Sequence, residues 1–153
     1  MMARFVISRT GLKMLPFSPD DLDVVTTIAL ENTAGVTPHS VDTATSGSWV
    51  IATLQVTGPW ECRVEIAVDA MLAEWLTKNM LDQEEVAADE VSDAVGEIAN
   101  VIAGGVKGMT PAPGCGLTLP AVSVIDALPA PSGDHIRRFF TVMNLPLAIS
   151  TSL

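Results

Sequence analysis

Apolar positions recur along this chain at two periods, one helical and one strand-like, and Pro/Gly-rich runs separate the segments that carry them. Ser18-Pro19-Asp20-Asp21 has the order of a helix start: serine as N-cap, proline in the first turn, and acids against the positive end of the helix dipole. That helix should run to about Asn32 or Ala34, where Gly35 can end it. Thr37 to Gly47 is rich in Thr, Ser, Pro and Gly and reads as loop or a weak edge strand. Trp49 to Val56 then alternates apolar and mixed residues, and Cys62, Val64, Ile66 and Val68 alternate with Glu61, Arg63 and Glu65; with Gly58-Pro59 between them these runs read as a hairpin.

Asp69 is placed to cap a short amphipathic helix with Met71, Leu72, Trp75, Leu76 and Met80 on one side. Asp82 with Glu85 three residues later has the spacing of a capping box, predicting a second helix from there to about Lys107. Glycines and prolines from Gly108 to Gly116 end it. Three strand-like runs follow, Leu117 to Ile125, His135 to Asn144 and Leu147 to Ser152. The predicted order is helix, two strands, two helices, three strands.

The helix between Asp82 and Lys107 carries the most informative chemistry. At about 100° per residue, Val91, Val95, Ile98 and Ile102 fall on one narrow stripe, and Asp93, Glu97, Asn100 and Gly104 on the opposite one. A carboxylate and a carboxamide thus stand in register on an outer face flanked by small residues, including Gly96 and Gly104. Another protein can approach such a low surface closely.

Composition narrows the classes. The 153 residues carry a formal net charge of -10, which argues against nucleic acid and against anionic membrane surfaces as partners. Hydrophobic content of 48 % is high for a chain of this size, and predicts that a homodimer or other partner covers some apolar surface. The length suits one domain spanning 1–153. Two cysteines, Cys62 and Cys115, supply neither a disulfide framework nor a four-ligand zinc site, and fit a reducing cytoplasm. Arg9 and Lys13 interrupt the N-terminal apolar run short of a signal sequence, and no stretch reaches the ~18 apolar residues of a membrane span.

The run Asp93-x3-Glu97-x2-Asn100, inside DAVGEIANVIAGGVKG, resembles the signature helix of the CheC/CheX family of chemotaxis phosphatases, and its single copy is more similar to CheX. The resemblance extends to the order of predicted elements over nearly the whole chain. It implies an α/β sandwich with a mainly antiparallel sheet, packed helices and a weak internal two-fold repeat. It also implies hydrolysis of the aspartyl phosphate of a CheY-type response-regulator receiver domain. In that family pattern a proline follows the asparagine by a little over twenty residues; here Pro120 follows Asn100 after nineteen, through the short connection GMTPAPGCG, and Ser123 lies nearer the expected place.

On the same resemblance, Asn100 holds the attacking water, Glu97 engages a receiver lysine, and Asp93, Gly96 and Gly104 support the contact. No intrinsic cofactor or metal is implied, since the Mg2+ would belong to the receiver. The repeat itself is faint: Leu30 to Val36 matches Ala99 to Gly105, which sets Glu31 opposite Asn100 and Ile28 opposite Glu97, so the first helix lacks the pair. One site per chain is expected. The alternative is a non-catalytic receiver-binding module or an assembly module like those of the flagellar motor switch.

Other groupings have plainer readings. Asp82, Glu84, Glu85, Asp89 and Glu90 are better explained by a solvated helix start than by a metal site. His39 and His135 have no nearby Ser or Cys that would make a nucleophilic constellation. Gly104-Gly105-x2-Gly108 follows the helix that a phosphate loop would have to precede. Trp49, Trp60, Trp75, Phe139 and Phe140 read as core or dimer-surface residues.

Overall fold

A computed structural model describes residues 14–109, 114–131 and 133–153, together with the backbone of 7–8 and 11–12. The short pair Ile7–Ser8 (β1) and Gly11–Leu12 (β2), which the hydrophobic pattern does not predict, is antiparallel. Helix α1 spans Pro19–Ala34 and is capped as its sequence predicts. The Ser18 hydroxyl accepts from the Asp21 N–H at 3.2 Å, and the Asp21 carboxylate accepts from the Ser18 N–H at 2.9 Å. Gly35 ends the helix at φ +69°, a conformation glycine adopts without a Cβ penalty.

The hairpin is present as Trp49–Thr57 (β4) and Cys62–Asp69 (β5), and His39–Val41 (β3) is the predicted weak edge strand. Asp69 caps Ala70–Leu81 (α2), accepting from the N–H groups of Met71 and Leu72. Leu72 and Leu76 turn inward, whereas Met71, expected on the same side, is exposed. The remaining elements are Ala88–Gly108 (α3), Gly116–Leu117 (β6), Ala121–Ile125 (β7), His135–Val142 (β8) and Leu145–Ser152 (β9). Of the connection after α3, residues 110–113 lie outside the described residues.

Two boundaries differ from expectation by more than two residues, each for a local reason. Asp82 does not open α3; it closes α2 in the left-handed conformation at φ +52°, donating its N–H to the Lys78 carbonyl. The start of α3 moves to Ala88, where the Glu90 carboxylate accepts from the Ala87 N–H at 3.0 Å. The run expected as one strand from Leu117 to Ile125 is interrupted at Thr118–Pro120. Against β4, Thr53 pairs with Ala121 and Val56 with Leu117, so two residues of β4 stand opposite three of the partner. This is a bulge, and Pro120 helps make it because it has no N–H for the ladder. Thr118 pins it: its N–H donates to the Gln55 carbonyl at 3.0 Å and its hydroxyl accepts from the Gln55 N–H at 2.9 Å.

The main sheet runs β3-β8-β9-β5-β4, with β7 and β6 sharing the far edge of β4, and every pairing is antiparallel. The order reads the same from either end once α1-β3-β4-β5 is matched to α3-β7-β8-β9. The two-fold repeat is therefore built into the topology. Each half lends its first strand to the other half's edge, β3 to β8 and β7 to β4, and the halves join at β5 and β9.

The helices pack on one face, over Val50, Ala52, Leu54, Cys62, Val64, Ile66 and Val68. The opposite face carries a smaller cluster of Trp49, Ile51, Ala67 and Ala148, covered in part by Leu128 and Phe139. Arg138 grips Asp23 with two hydrogen bonds, 2.8 and 2.7 Å, tying β8 to α1, and this bond raises the pKa of the guanidinium above its ordinary value.

Helix α3 meets α1 at Gly105, where a Cβ would lie 2.5 Å from Cγ1 of Val25, a stiff β-branched side chain. A Cβ at the neighbouring Gly104 would meet nothing within 4 Å. Gly105→Ala should therefore destabilise the protein by about 1–3 kcal/mol, while Gly104→Ala should be neutral or stabilising by up to ~1 kcal/mol through helix propensity. Urea unfolding midpoints of the two variants decide the matter; equal midpoints would refute the close packing of α1 on α3.

Candidate functional site

The back of α3 is sealed by Val95, Ile98, Ala99, Ile102, Ala103 and Val106, all buried, against β4, β5 and the other helices. The front is therefore forced outward. Asp93, Glu97 and Asn100 are all exposed on it, as their spacing predicts, and no backbone turn is needed to bring them together. They line a cavity of about 430 Å³ with Ser92, Gly96, Leu119, Pro120 and Val122. A second, more apolar hollow of about 290 Å³ lies on the other side, between Met80, Leu81, Glu90 and Ala94. Asp93 and Glu97 border both hollows and form the ridge between them.

Gly96 and Gly104 separate in role. Gly96 is buried, and a Cβ there would lie 3.4 Å from Cγ of Pro120 and 3.6 Å from Cγ2 of Val122. A Cβ there would make ordinary van der Waals contact with both, so the bulge before β7 lies against α3 at Gly96 and forms one wall of the cavity. Gly104 lies about two turns further along, where a Cβ would meet nothing within 4 Å, and is not among the cavity's lining residues. Asn100 sits beside the apolar wall, and its carboxamide can accept from a water and donate to an anion without adding charge.

The α1 helix has the matching face but different chemistry. With Ile28 in the place of Glu97 and Glu31 in the place of Asn100, Val24 falls opposite Asp93. Val24 and Ile28 are 58 % and 52 % exposed. This face carries neither the carboxylate at the first two positions nor the carboxamide at the third, so the topological repeat does not repeat the chemistry.

Among the described residues no three His, Cys, Asp or Glu side chains converge as a metal-ligand set. Cys62 is buried in the core, where burial pushes its thiol up to about 12 and leaves it protonated and unreactive at neutral pH. His39 and His135 lie on different strands, β3 and β8, and each is exposed. No helix among the described residues is long and apolar enough to cross a membrane.

One charged cluster escaped the sequence reading. On the sheet face away from α3, buried Glu65 lies 3.3 Å from Arg63 and 3.5 Å from Arg137, and Arg137 donates to the Ser150 hydroxyl at 2.7 Å. Glu65, Ser150 and Arg137 form one cross-strand row, because both Glu65 and Arg137 register against Ser150. Alternation alone shows Arg63 and Glu65 sharing a face; only the register of β9 brings Arg137 to them. These pairs neutralise a buried carboxylate and stand outside the α3 cavity.

The family model described as chemotaxis phosphatase CheX matches residues 50–133, more than half of the chain and the stretch that carries α3 and both walls of the cavity. None of the curated proteins matches the chain in sequence. Among solved structures, the chain is similar to the chemotaxis protein CheX from Vibrio vulnificus, with a TM-score of 0.70 at 21 % identity over 86 % of this chain and 95 % of that one. It is similar also to a chemotaxis protein CheX from Desulfovibrio desulfuricans, with a TM-score of 0.68 at 20 % identity over 88 % and 97 % of the two chains. A chain in the CheX–CheY–BeF3–Mg2+ complex from Borrelia burgdorferi gives 0.64 at 17 % identity over 87 % and 95 %. At these identities the structural likeness is one of fold, and the family assignment comes from the sequence match. With its antiparallel sheet, its packed helices and the match across α3, this chain belongs to the CheX family of chemotaxis phosphatases.

Proposed function

We propose that this protein hydrolyses the aspartyl phosphate of a CheY-type receiver domain, with Asn100 positioning the water and Glu97 docking on the receiver. The observation that carries this reading is the exposed set Asp93, Glu97 and Asn100 on the outer face of a helix whose back is immobilised in the core. A CheX chain in complex with CheY and the phosphate mimic BeF3 among the similar structures supports the choice of partner.

An acyl phosphate is already prone to hydrolysis, so the demand on the protein is mainly to hold water in line with phosphorus. The Asn100 carboxamide oxygen accepts from that water and leaves its oxygen lone pair facing phosphorus. The water oxygen bonds to phosphorus, the bond from phosphorus to the aspartyl oxygen breaks, and the released proton leaves with inorganic phosphate. The receiver recovers its free carboxylate. A carboxylate in place of Asn100 would be repelled by the phosphoryl oxygens, whereas Glu97, one turn away, is suited to a cationic side chain such as the receiver lysine. Asp93 extends the same acidic ridge, and the Mg2+ required for the acyl phosphate belongs to the receiver.

The reading includes a homodimer, supported by the exposed Val24 and Ile28 on α1 and the high apolar content of the chain. Sedimentation equilibrium should return twice the 16.1 kDa chain mass; a monomer at all concentrations would remove the dimer and leave the phosphatase untouched.

The enzyme itself is tested by decay of phosphorylated CheY-type receivers, encoded in the same genome, with substoichiometric protein. Asn100→Ala should lower kcat by about 100-fold with binding retained, and Glu97→Ala should raise KM by roughly tenfold, an effect that added salt diminishes. Absence of turnover with every receiver, alongside tight binding, would make the chain a sequestering module.

A further inference from the structure

The wall opposite Asn100 has a feature that hydrolysis alone does not require. Leu119 is 91 % exposed, the most exposed of the large apolar side chains among the described residues, and it borders the same cavity as Asp93, Glu97 and Asn100. It is the central residue of the three-residue bulge between β6 and β7. Bulges re-aim side chains, and this one turns a leucine out to water beside the site.

The projecting side chain stands on a fixed base. Thr118, on one side of it, is held to Gln55 by two hydrogen bonds, and Pro120, on the other, packs over Gly96. Val122 and Val124, two residues apart on β7, continue from Pro120 on the strand face toward α3, and Val124 is 67 % exposed. An apolar ridge thus runs beside the acidic one, held by the two Thr118–Gln55 hydrogen bonds and a fixed proline ring. A pre-positioned anchor loses little freedom when a partner covers it.

We infer that Leu119 is the apolar anchor on which the phosphorylated receiver docks, an inference that rests on the phosphatase reading above. Every charged side chain lining the cavity is acidic, Asp93 and Glu97, so the occupant supplies the cation. The receiver surface that fits therefore places a cationic side chain over Glu97 and an apolar depression over Leu119. Leu119 contributes to binding and positioning and takes no part in the bond changes.

The test uses Leu119→Ser, with Leu119→Met as the conservative partner, in the full-length chain. Affinity is measured by calorimetry against a CheY-type receiver locked with BeF3 and Mg2+, and turnover against the same receiver in phosphorylated form. Leu119→Ser should raise both Kd and KM by about tenfold, with kcat at saturation within about twofold of wild type, and Leu119→Met should restore most of the loss. Thermal unfolding of both variants should match wild type, because the side chain is exposed. Wild-type Kd and KM in Leu119→Ser, while Asn100→Ala still slows hydrolysis, would overturn the anchor and leave the phosphatase standing. A lower kcat at unchanged KM, or loss of self-association alone, would also overturn it. Failure of the wild-type protein to accelerate decay of any receiver would overturn the phosphatase reading and the anchor together.

Discussion

The burial of one side of α3 is the constraint on which the rest of this structure depends. Val95, Ile98, Ala99, Ile102, Ala103 and Val106 are removed from water against β4, β5 and the neighbouring helices. Each fully buried Val or Ile side chain stabilises that arrangement by about 1.5–3 kcal/mol, so rotating the helix to hide Asp93, Glu97 or Asn100 would expose several such groups at once. The polar face is held outward by the hydrophobic effect acting on its opposite side. Its rigidity suits the proposed hydrolysis, in which orientation of a water matters more than acid or base strength.

The two-fold plan explains why the helix has that bed to lie on. Each half donates its first strand to the other, so β4 is flanked by β5 from its own half and by β7 from the second. The loan of β7 to β4 brings Pro120 and Val122 against Gly96 and makes the second wall of the cavity. On the other half, β3 is only three residues long and α1 presents Val24 and Ile28, so the corresponding face offers apolar contact instead of chemistry. The acidic surface of a chain at net charge -10 then favours partners that bring cations, with the sheet's buried carboxylate at Glu65 already neutralised by two arginines.

The amino-acid sequence by itself determined the elements whose signals are local. Ser18 and Asp21, Gly35, Asp69 and the alternation of β4 and β5 each act within a few residues, and the structure follows them. The outward placement of Asp93, Glu97 and Asn100 was equally legible, because a helix converts spacing directly into direction. The start of α3 was not, since both Asp82-x2-Glu85 and Ala87-x2-Glu90 place an acid three residues on, and the choice fell to how α2 ends. Only the tertiary structure decided what stands opposite Asn100, that Gly96 lies against Pro120 and Val122 while Gly104 faces nothing, and that Arg137 meets Glu65. Those depend on strand register and on a single extra residue in a bulge, and the bulge and the β5–β9 register are set by pairings between residues 59 or more positions apart. Periodicity reports which way a side chain faces within its own element, and carries no information about which distant element it will face.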